Sequence, residues 1–321
     1  MKKNECVIGF DTSNYTTSVA VCSADGKILL NLKAPLPVKE GERGLRQSDA
    51  VFAHVKNQPQ LMANLTCFLK SEGLSAVAVG YSATPTHSEG SYMPCFLCGK
   101  AFALSFACAN AIPCYPFSHQ EGHIAAAVWS ATGSLDLLSE PLIAFHVSGG
   151  TTDVVMCTPS AHRLNTERIG GSLDLHAGQL IDRMGVLMEL PFPCGPHIEK
   201  CSEEYKGEPF APKISVDGFD CHLSGGENSA RSILSVQGRE ACCAYTLDMI
   251  SKTLDRISLN LRKKYPSLPI IYAGGVMSNK RICAYLSKRE NTYFAAPVFS
   301  ADNAAGIALL AHNRYASLRG E

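Results

Sequence analysis

One local design occurs twice in this chain, and that repetition constrains its fold more than any other feature. Val7-Ile-Gly-Phe-Asp-Thr-Ser-Asn-Tyr-Thr-Thr-Ser-Val-Ala-Val21 reads as an apolar strand, a small polar turn and a second strand. Ile143-Ala-Phe-His-Val-Ser-Gly-Gly-Thr-Thr-Asp-Val-Val-Met156 repeats it, and each turn closes on a Thr-Thr pair, Thr16-Thr17 and Thr151-Thr152. Any tight hairpin needs small residues, so one copy says little. Two copies, each heading half of a 321-residue chain, predict a duplicated fold with a nucleotide or phosphate between two lobes. A third glycine turn lies in Pro269-Ile-Ile-Tyr-Ala-Gly-Gly-Val-Met-Ser-Asn-Lys-Arg-Ile282, read as a strand, the Gly274-Gly275 turn and a helix from near Asn279. Glycines there let the backbone come close to an adenine or ribose. Elsewhere strands and helices alternate: a short buried strand at Val77–Gly80, and helices at Gly99–Ala109, Leu173–Leu187 and Glu240–Lys264. Helices lying between strands argue for an α/β fold. Gly41–Gln60 is polar and reads as an irregular connection, and Ala131–Glu140 as a surface loop between the halves.

His119-Gln-Glu-Gly-His123 adds chemistry to this frame. Ser118 and Glu121 fit the S-x-x-E capping box, and Ile124-Ala-Ala-Ala-Val-Trp129 continues as good helix formers. Residues i and i+4 share a helix face, so both imidazoles can reach one metal ion. Metallopeptidases of the H-E-x-x-H type place their glutamate directly after the first histidine. Glu121 comes one residue later, roughly 200° round the helix from His119, and points away from the ion. A peptidase-style base is therefore absent. In isolation, an H-x-x-x-H is most simply two histidines on a solvated helix start; the accompanying motifs argue against that here.

With 29 basic and 29 acidic residues, the chain has no net charge to draw in nucleic acid, so any such contact needs a local patch. Its 14 cysteines are scattered through apolar runs (Cys6, Cys22, Cys108, Cys157, Cys283), and Met1-Lys-Lys-Asn-Glu5 is polar and unlike a signal peptide. Reduced, buried thiols in a cytoplasmic protein are the expectation. Cys95-Phe-Leu-Cys98 is a lone C-x-x-C with no second pair, and reads as core or loop and not as a zinc site. No apolar stretch reaches membrane-spanning length.

Taken in order, the motifs resemble the TsaD/Kae/Qri family, the tRNA N6-adenosine threonylcarbamoyltransferases once described as glycoprotein endopeptidases. The family pattern runs G-I-E-T-S, H-x-E-G-H, V-S-G-G-H-T, G-E-A-F-D-K, P-G-G-P, F-S-G-L, A-G-G-V-x-x-N and C-T-D-N-G-A. This chain answers with Gly9-Phe-Asp-Thr-Ser13, His119-Gln-Glu-Gly-His123, Val147-Ser-Gly-Gly-Thr-Thr152 and Gly178-Gln-Leu-Ile-Asp-Arg183. It continues with Pro193-Cys-Gly-Pro196, His222-Leu-Ser-Gly225, Ala273-Gly-Gly-Val-Met-Ser-Asn279 and Ser300-Ala-Asp-Asn-Ala-Ala305. The resemblance implies a two-lobed actin/hexokinase/Hsp70-like (ASKHA) α/β fold. Its first lobe would span residues 1–118, with a C-terminal helix at 302–316 packing back on it, and its second lobe residues 119–301. It also implies one divalent metal held by His119, His123 and Asp302; these residue types suit iron or zinc, and the resemblance favours iron. By spacing alone, Asp302 would read as the N-cap of a helix over Asn303–Ala311. The implied substrate contacts are Val147, Ser148, Gly149, Gly150, Thr151, Asp182, Gly195 and Asn279. Without the resemblance, Asp182 would be a solvated helix carboxylate, Gly195 a turn residue and Asn279 a helix cap. The implied reaction moves a threonylcarbamoyl group from its adenylate to the tRNA adenosine beside the anticodon, assisted by the metal and by partner subunits of a synthesis complex, with no covalent nucleophile assigned.

The departures fall mostly in the first half. Where the family has Cys-Asp-Glu-Thr after G-I-E-T-S, this chain has Asn14-Tyr15-Thr16-Thr17. The family's G-G-V-V-P-E-x-A-x-R-x-H survives in Arg43–His54 as little beyond Gly44 and His54, and its A-G-P-G-L turn is replaced by Ala83–Tyr92. Thr151 stands for the histidine of S-G-G-H-T and Glu227 for the lysine of S-G-L-K-T. These changes keep a second reading open: a divergent paralogue that binds metal and nucleotide as an ATPase, a small-molecule kinase or carbamoyltransferase, or a non-catalytic assembly subunit. A metallopeptidase is the weakest reading, because Glu121 is misplaced for one.

Overall fold

The computed structural model describes residues 1–37, 45–87, 89–160, 163–300 and 303–320. Its contacts divide into two compact units: Met1–Leu135 with Pro159–Thr166 and Ala301–Glu321, and Asp136–Thr158 with Glu167–Ser300. Helix 119–132 therefore belongs to the first unit, whereas the sequence reading began the second lobe at residue 119.

In the first unit the expected hairpin forms from β1 (Glu5–Thr12) and β2 (Thr16–Ser23), antiparallel with Thr12 opposite Thr17. After their first residues both strands are buried on both faces, which requires cover above and below the sheet. β3 (Ile28–Pro35) is the half-exposed antiparallel edge, and β4 (Ser75–Thr84) and β5 (Cys114–Ser118) extend the other side in parallel, giving the order β3-β2-β1-β4-β5. The covering helices are α1 (Gln47–Ser71), α2 (Phe96–Asn110) and α3 (His119–Thr132). Helix α1 corrects the expectation of an irregular connection over residues 41–60. Its buried face is Ala50, Ala53, His54, Gln58, Leu61 and Leu65, so small and polar residues occupy inward positions and hide the helical period. Residues 41–44 of that stretch lie outside the described residues.

The second unit holds the second expected hairpin, β6 (Leu142–Val147) and β7 (Thr152–Ser160), with Val147 opposite Thr152. These join β8 (Arg163–Ser172), β9 (Ser215–Asp217), β10 (Asp220–His222), β11 (Ile270–Ala273) and β12 (Thr292–Phe294) in the order β12-β11-β6-β7-β8-β10-β9. Packed on this sheet are α4 (Ala177–Leu187), α5 (Gly195–Glu203), α6 (Ser224–Gln237), α7 (Arg239–Lys264), α8 (Lys280–Leu286) and the single turn α9 (Pro297–Ser300). Helix α7 is buried along most of its length and carries two carboxylates seven residues apart. Arg281 clasps Asp248 at 2.9 and 3.0 Å, and Arg289 clasps Asp255 at 2.7 and 2.8 Å. Paired, hydrogen-bonded charges of this kind offset their own desolvation. Tyr272 lies between Phe145 and Phe294, with ring centroids 4.6 and 5.2 Å away.

The chain then returns to the first unit as α10 (Ala305–Arg319), which begins two residues later and runs further than expected. Three glycines admit it. A Cβ on Gly9 of β1 would lie 2.5 Å from the Ala308 nitrogen, and one on Gly80 of β4 2.7 Å from the Ala311 Cβ. At the crossing with α3, a Cβ on Gly306 would lie 1.8 Å from the carbonyl oxygen of Gly122, the glycine of the His119–His123 motif. All fourteen cysteines are free thiols, with Cys95 and Cys98 buried at the head of α2 as core residues. Among the described residues no helix is long and apolar enough to cross a membrane.

Candidate functional site

The capping box at the head of α3 forms as expected. Ser118 Oγ accepts from the Glu121 backbone N–H at 3.2 Å, and the Glu121 carboxylate accepts from the Ser118 N–H at 2.6 Å. Glu121 is fully buried; it also accepts from the Leu164 N–H at 2.9 Å and bonds His87 Nε2. Every one of these contacts is structural. With Glu121 so engaged, the next turn presents His119 and His123 to each other, their Nε2 atoms 3.0 Å apart and their rings edge to face. Two nitrogens on one ion at about 2.1 Å stand roughly 3.0–3.4 Å apart, so the pair fits a shared metal. His119 Nδ1 meets Asp11 Oδ1 at 2.8 Å, the carboxylate–histidine arrangement that orients a metal-binding imidazole. Asp302 lies outside the described residues; in the chain it stands just before α10, whose Gly306 abuts Gly122. No group of three His, Cys, Asp or Glu side chains with metal-binding geometry occurs among the described residues.

Asp11 carries little sign of this role in the sequence. Its signal is a lone carboxylate ending the buried run Val7-Ile-Gly-Phe-Asp11, a cost that a partner must offset.

The first hairpin turns its hydroxyls inward. Thr12 Oγ1 donates to the Cys95 carbonyl at 2.9 Å and accepts from the Gly99 N–H at 3.0 Å, while Thr17 Oγ1 meets His54 Nδ1 at 2.8 Å. His54 Nε2 donates to the Ser13 carbonyl at 2.8 Å, which leaves Nδ1 to accept from Thr17. Burial pushes the His54 pKa below its usual value, partly opposed by the Ser13 hydrogen bond and the Asp11 charge. Asn14 Oδ1 accepts from Gln47 Nε2 at 2.7 Å. Asn14 and Gln47, both departures from the family pattern, thus bind each other, while His54, which the pattern keeps, bonds Thr17 and Ser13.

The second unit contains a cavity of about 610 Å³ lined by turns and helix ends. It brings together Gly149, Asp182, Gly195 and Asn279, with Gly275 from the third glycine turn. The tight turn closes with the Ser148 N–H on the Thr151 carbonyl at 2.8 Å; Ser148, Gly150 and Thr151 sit in that turn beside the cavity, outside its lining. Val147 is fully buried in β6, and its carbonyl packs where a Cβ on Gly274 would stand, 2.2 Å away; Gly274 has φ +99°. By contrast, a Cβ on Gly149, Gly195 or Gly275 would meet nothing within 4 Å, so these glycines open onto free space. Asp182 is half-buried and accepts from the Cys194 N–H at 3.1 Å; burial pushes its pKa up, and that hydrogen bond partly opposes the shift. Asn279 caps α8, its Oδ1 accepting from the Ile282 N–H at 3.1 Å, and still lines the cavity. Glu199, Lys200 and Lys280 also line it, and the sequence carried no local sign of them. The lining thus mixes two lysines with three carboxylates, Asp182, Glu199 and Glu203, beside open glycines, so cations for an anionic group and acceptors for hydroxyls are both present.

Glu227, the charge reversal, stands in the first turn of α6 between two arginines, 3.0 Å from Arg183 and 2.7 Å from Arg231. The hydrogen bond from Arg231, helped by that from Arg183 and by both positive charges, holds its carboxyl below the usual range against desolvation.

A family model described as TsaD: tRNA N6-adenosine threonylcarbamoyltransferase matches residues 49–309. The tRNA N6-adenosine threonylcarbamoyltransferase of Thermus thermophilus is 30% identical over 325 residues, covering 96% of this chain and 93% of that protein. The one from Methanopyrus kandleri is 27% identical over 308 residues, covering 94% and 85%. Among solved structures, HypF from T. kodakarensis aligns with a TM-score of 0.58 and 12% identity over 99% of this chain and 48% of its own. Component A of the Acidaminococcus fermentans (R)-2-hydroxyglutaryl-CoA dehydratase aligns at 0.52 and 12% over 97% and 99%. These likenesses confirm the ASKHA-type fold.

Proposed function

The chain belongs to the tRNA N6-adenosine threonylcarbamoyltransferase family and is a transferase, and from that premise we propose that it acts in tRNA modification. In detail, it moves a threonylcarbamoyl group from threonylcarbamoyl-AMP to N6 of the adenosine next to the anticodon. The observation that carries this reading is the cavity of the second unit, where Gly149, Asp182, Gly195 and Asn279 face a space suited in size to an adenylate. Its open glycines let the backbone approach the nucleotide. Asp182 accepts hydrogen bonds from ribose or threonyl hydroxyls, and Lys200 and Lys280 offset phosphate charge. In the transfer, the exocyclic amine forms the new N–C bond and the bond from the carbamoyl carbon to the phosphate oxygen breaks. AMP leaves with that bonding pair, and the amine gives up a proton. His119 and His123, with Asp302 as third ligand, would hold one divalent ion, iron in preference to zinc. When bound, it supplies Lewis-acid polarisation of the carbamoyl carbonyl. Positioning supplies much of the remaining acceleration, so no covalent nucleophile is needed. Partner subunits of a synthesis complex add RNA contacts to a chain whose zero net charge gives no long-range attraction for RNA.

The divergent-paralogue reading draws support from the first hairpin, where Tyr15 and Thr16 stand in place of the two acidic family residues and Asn14 is consumed in a hydrogen bond from Gln47. Incubation of the full chain with threonylcarbamoyl-AMP and unmodified tRNA separates the two. Modified adenosine that depends on His119, His123 and Asp182 supports the transferase reading. No product under conditions where the Thermus thermophilus relative turns over, together with retained adenylate binding, supports the paralogue.

A further inference from the structure

We propose that Asp11 positions His119 for metal binding by fixing the tautomer of its ring; the proposal rests on the reading of His119 and His123 as metal ligands. Asp11 is completely buried at the end of β1, where a carboxylate is costly unless donors surround it. Its Oδ1 takes the Ser82 hydroxyl from β4 and His119 Nδ1 from α3, the latter at 2.8 Å, so three separately formed elements converge on one oxygen. Oδ2 has no hydrogen-bond partner among the described residues.

The oxygen that takes the Ser82 hydroxyl acts as an acceptor towards a ring nitrogen at 2.8 Å as well. Facing it, His119 Nδ1 must carry the ring proton, and the lone pair is thereby assigned to Nε2, since the bond made by one ring nitrogen sets the state of the other. That Nε2 points at His123 Nε2, 3.0 Å away. With the His119 lone pair on Nε2, the 3.0 Å contact makes His123 Nε2 the donor, and an ion held by both rings would stand where that proton lies. Asp11 thus acts through His119, at a distance of 108 residues along the chain. An amide at position 11 offers a donor as well as an acceptor, and the constraint on the ring disappears.

The experiment uses the full chain and two readouts. Side-chain 15N spectra of the metal-free protein, with His119 assigned from a His119→Gln variant, report the tautomer; the expected state has the proton on Nδ1. Co(II) titration against a competing chelator, for the parent and Asp11→Asn, reports affinity. The expected loss is about 10–100-fold, the size usual for removing the partner of a metal-binding histidine, with an unchanged melting temperature in the absence of metal. A parent that binds no Co(II) overturns the metal reading itself. A parent that binds it with the His119 proton on Nε2 overturns the role of Asp11 alone, and so does an Asp11→Asn protein with Co(II) affinity within twofold of the parent. Should Asp11→Asn fail to fold, the parent's tautomer still decides.

Discussion

His54 shows at the scale of a single residue how burial becomes a pH dependence. Its folded pKa lies below the ordinary value near 6.5, because desolvation outweighs the Ser13 hydrogen bond and the Asp11 charge. As pH falls through 6.5 the unfolded chain takes up the proton first, so His54 contributes stability that is full above that point and declines towards the folded pKa. Urea midpoints should therefore drop between pH 7 and pH 5, and the drop should be smaller in His54→Gln. An equal slope in both proteins would remove His54 as its source. For His119 and His123, metal analysis of chain purified without chelator, beside the His119→Ala/His123→Ala double variant, should show near-stoichiometric metal in the first and background in the second. Equal content in the two would place any metal elsewhere.

At the scale of elements, the glycines divide into two kinds, and substitution should separate them. Valine at Gly149 or Gly275 points into open space and leaves the fold alone, but it fills part of the cavity. Each variant should melt within about 1–2 °C of the parent without ligand, as surface changes do, and lose the rise in melting temperature that AMP or ATP gives by mass action. Valine at Gly306 drives a side chain into the Gly122 carbonyl where α10 crosses α3. It should cost about 3 kcal/mol or more in urea unfolding, as overpacking of a close crossing does. A nucleotide shift that survives at both Gly149 and Gly275 would put the ligand elsewhere. The same division explains what the sequence could reveal. The capping box and both hairpins depend on residues within a few positions of each other, so Ser118, Glu121 and the Thr-Thr turns announce them. Helix α1 was hidden because His54 and Gln58 face inward. Asp11 was hidden because its partner His119 lies 108 residues away. Lys200 and Lys280 reach the cavity from two helices that nothing in the sequence brings together.

For the whole molecule, net charge is zero, and the pairing of Glu227 with Arg183 and Arg231 removes two cations that a phosphate backbone could otherwise use. Glu227→Lys changes the local charge by two and frees both arginines, at a cost of about 1 kcal/mol for an acid lost from a helix's first turn. The parent should bind tRNA weakly. The variant should bind more tightly, with affinity falling more steeply as salt rises, as read by anisotropy across a salt series. Tight binding by the parent and no change in the variant would place Glu227 away from the RNA. The glycine groove that receives α10 has one further consequence, which concerns order in time. β1 leaves the ribosome before the second unit is made, and the helix that covers Gly9, Gly80 and Gly122 is made after it. At about 5–20 residues per second, the first unit waits on the order of ten seconds with this strip of sheet and helix bare while the whole second unit is translated. That interval is when a chaperone has most to hold, and a ribosome that stops short of α10 releases a first unit that cannot close.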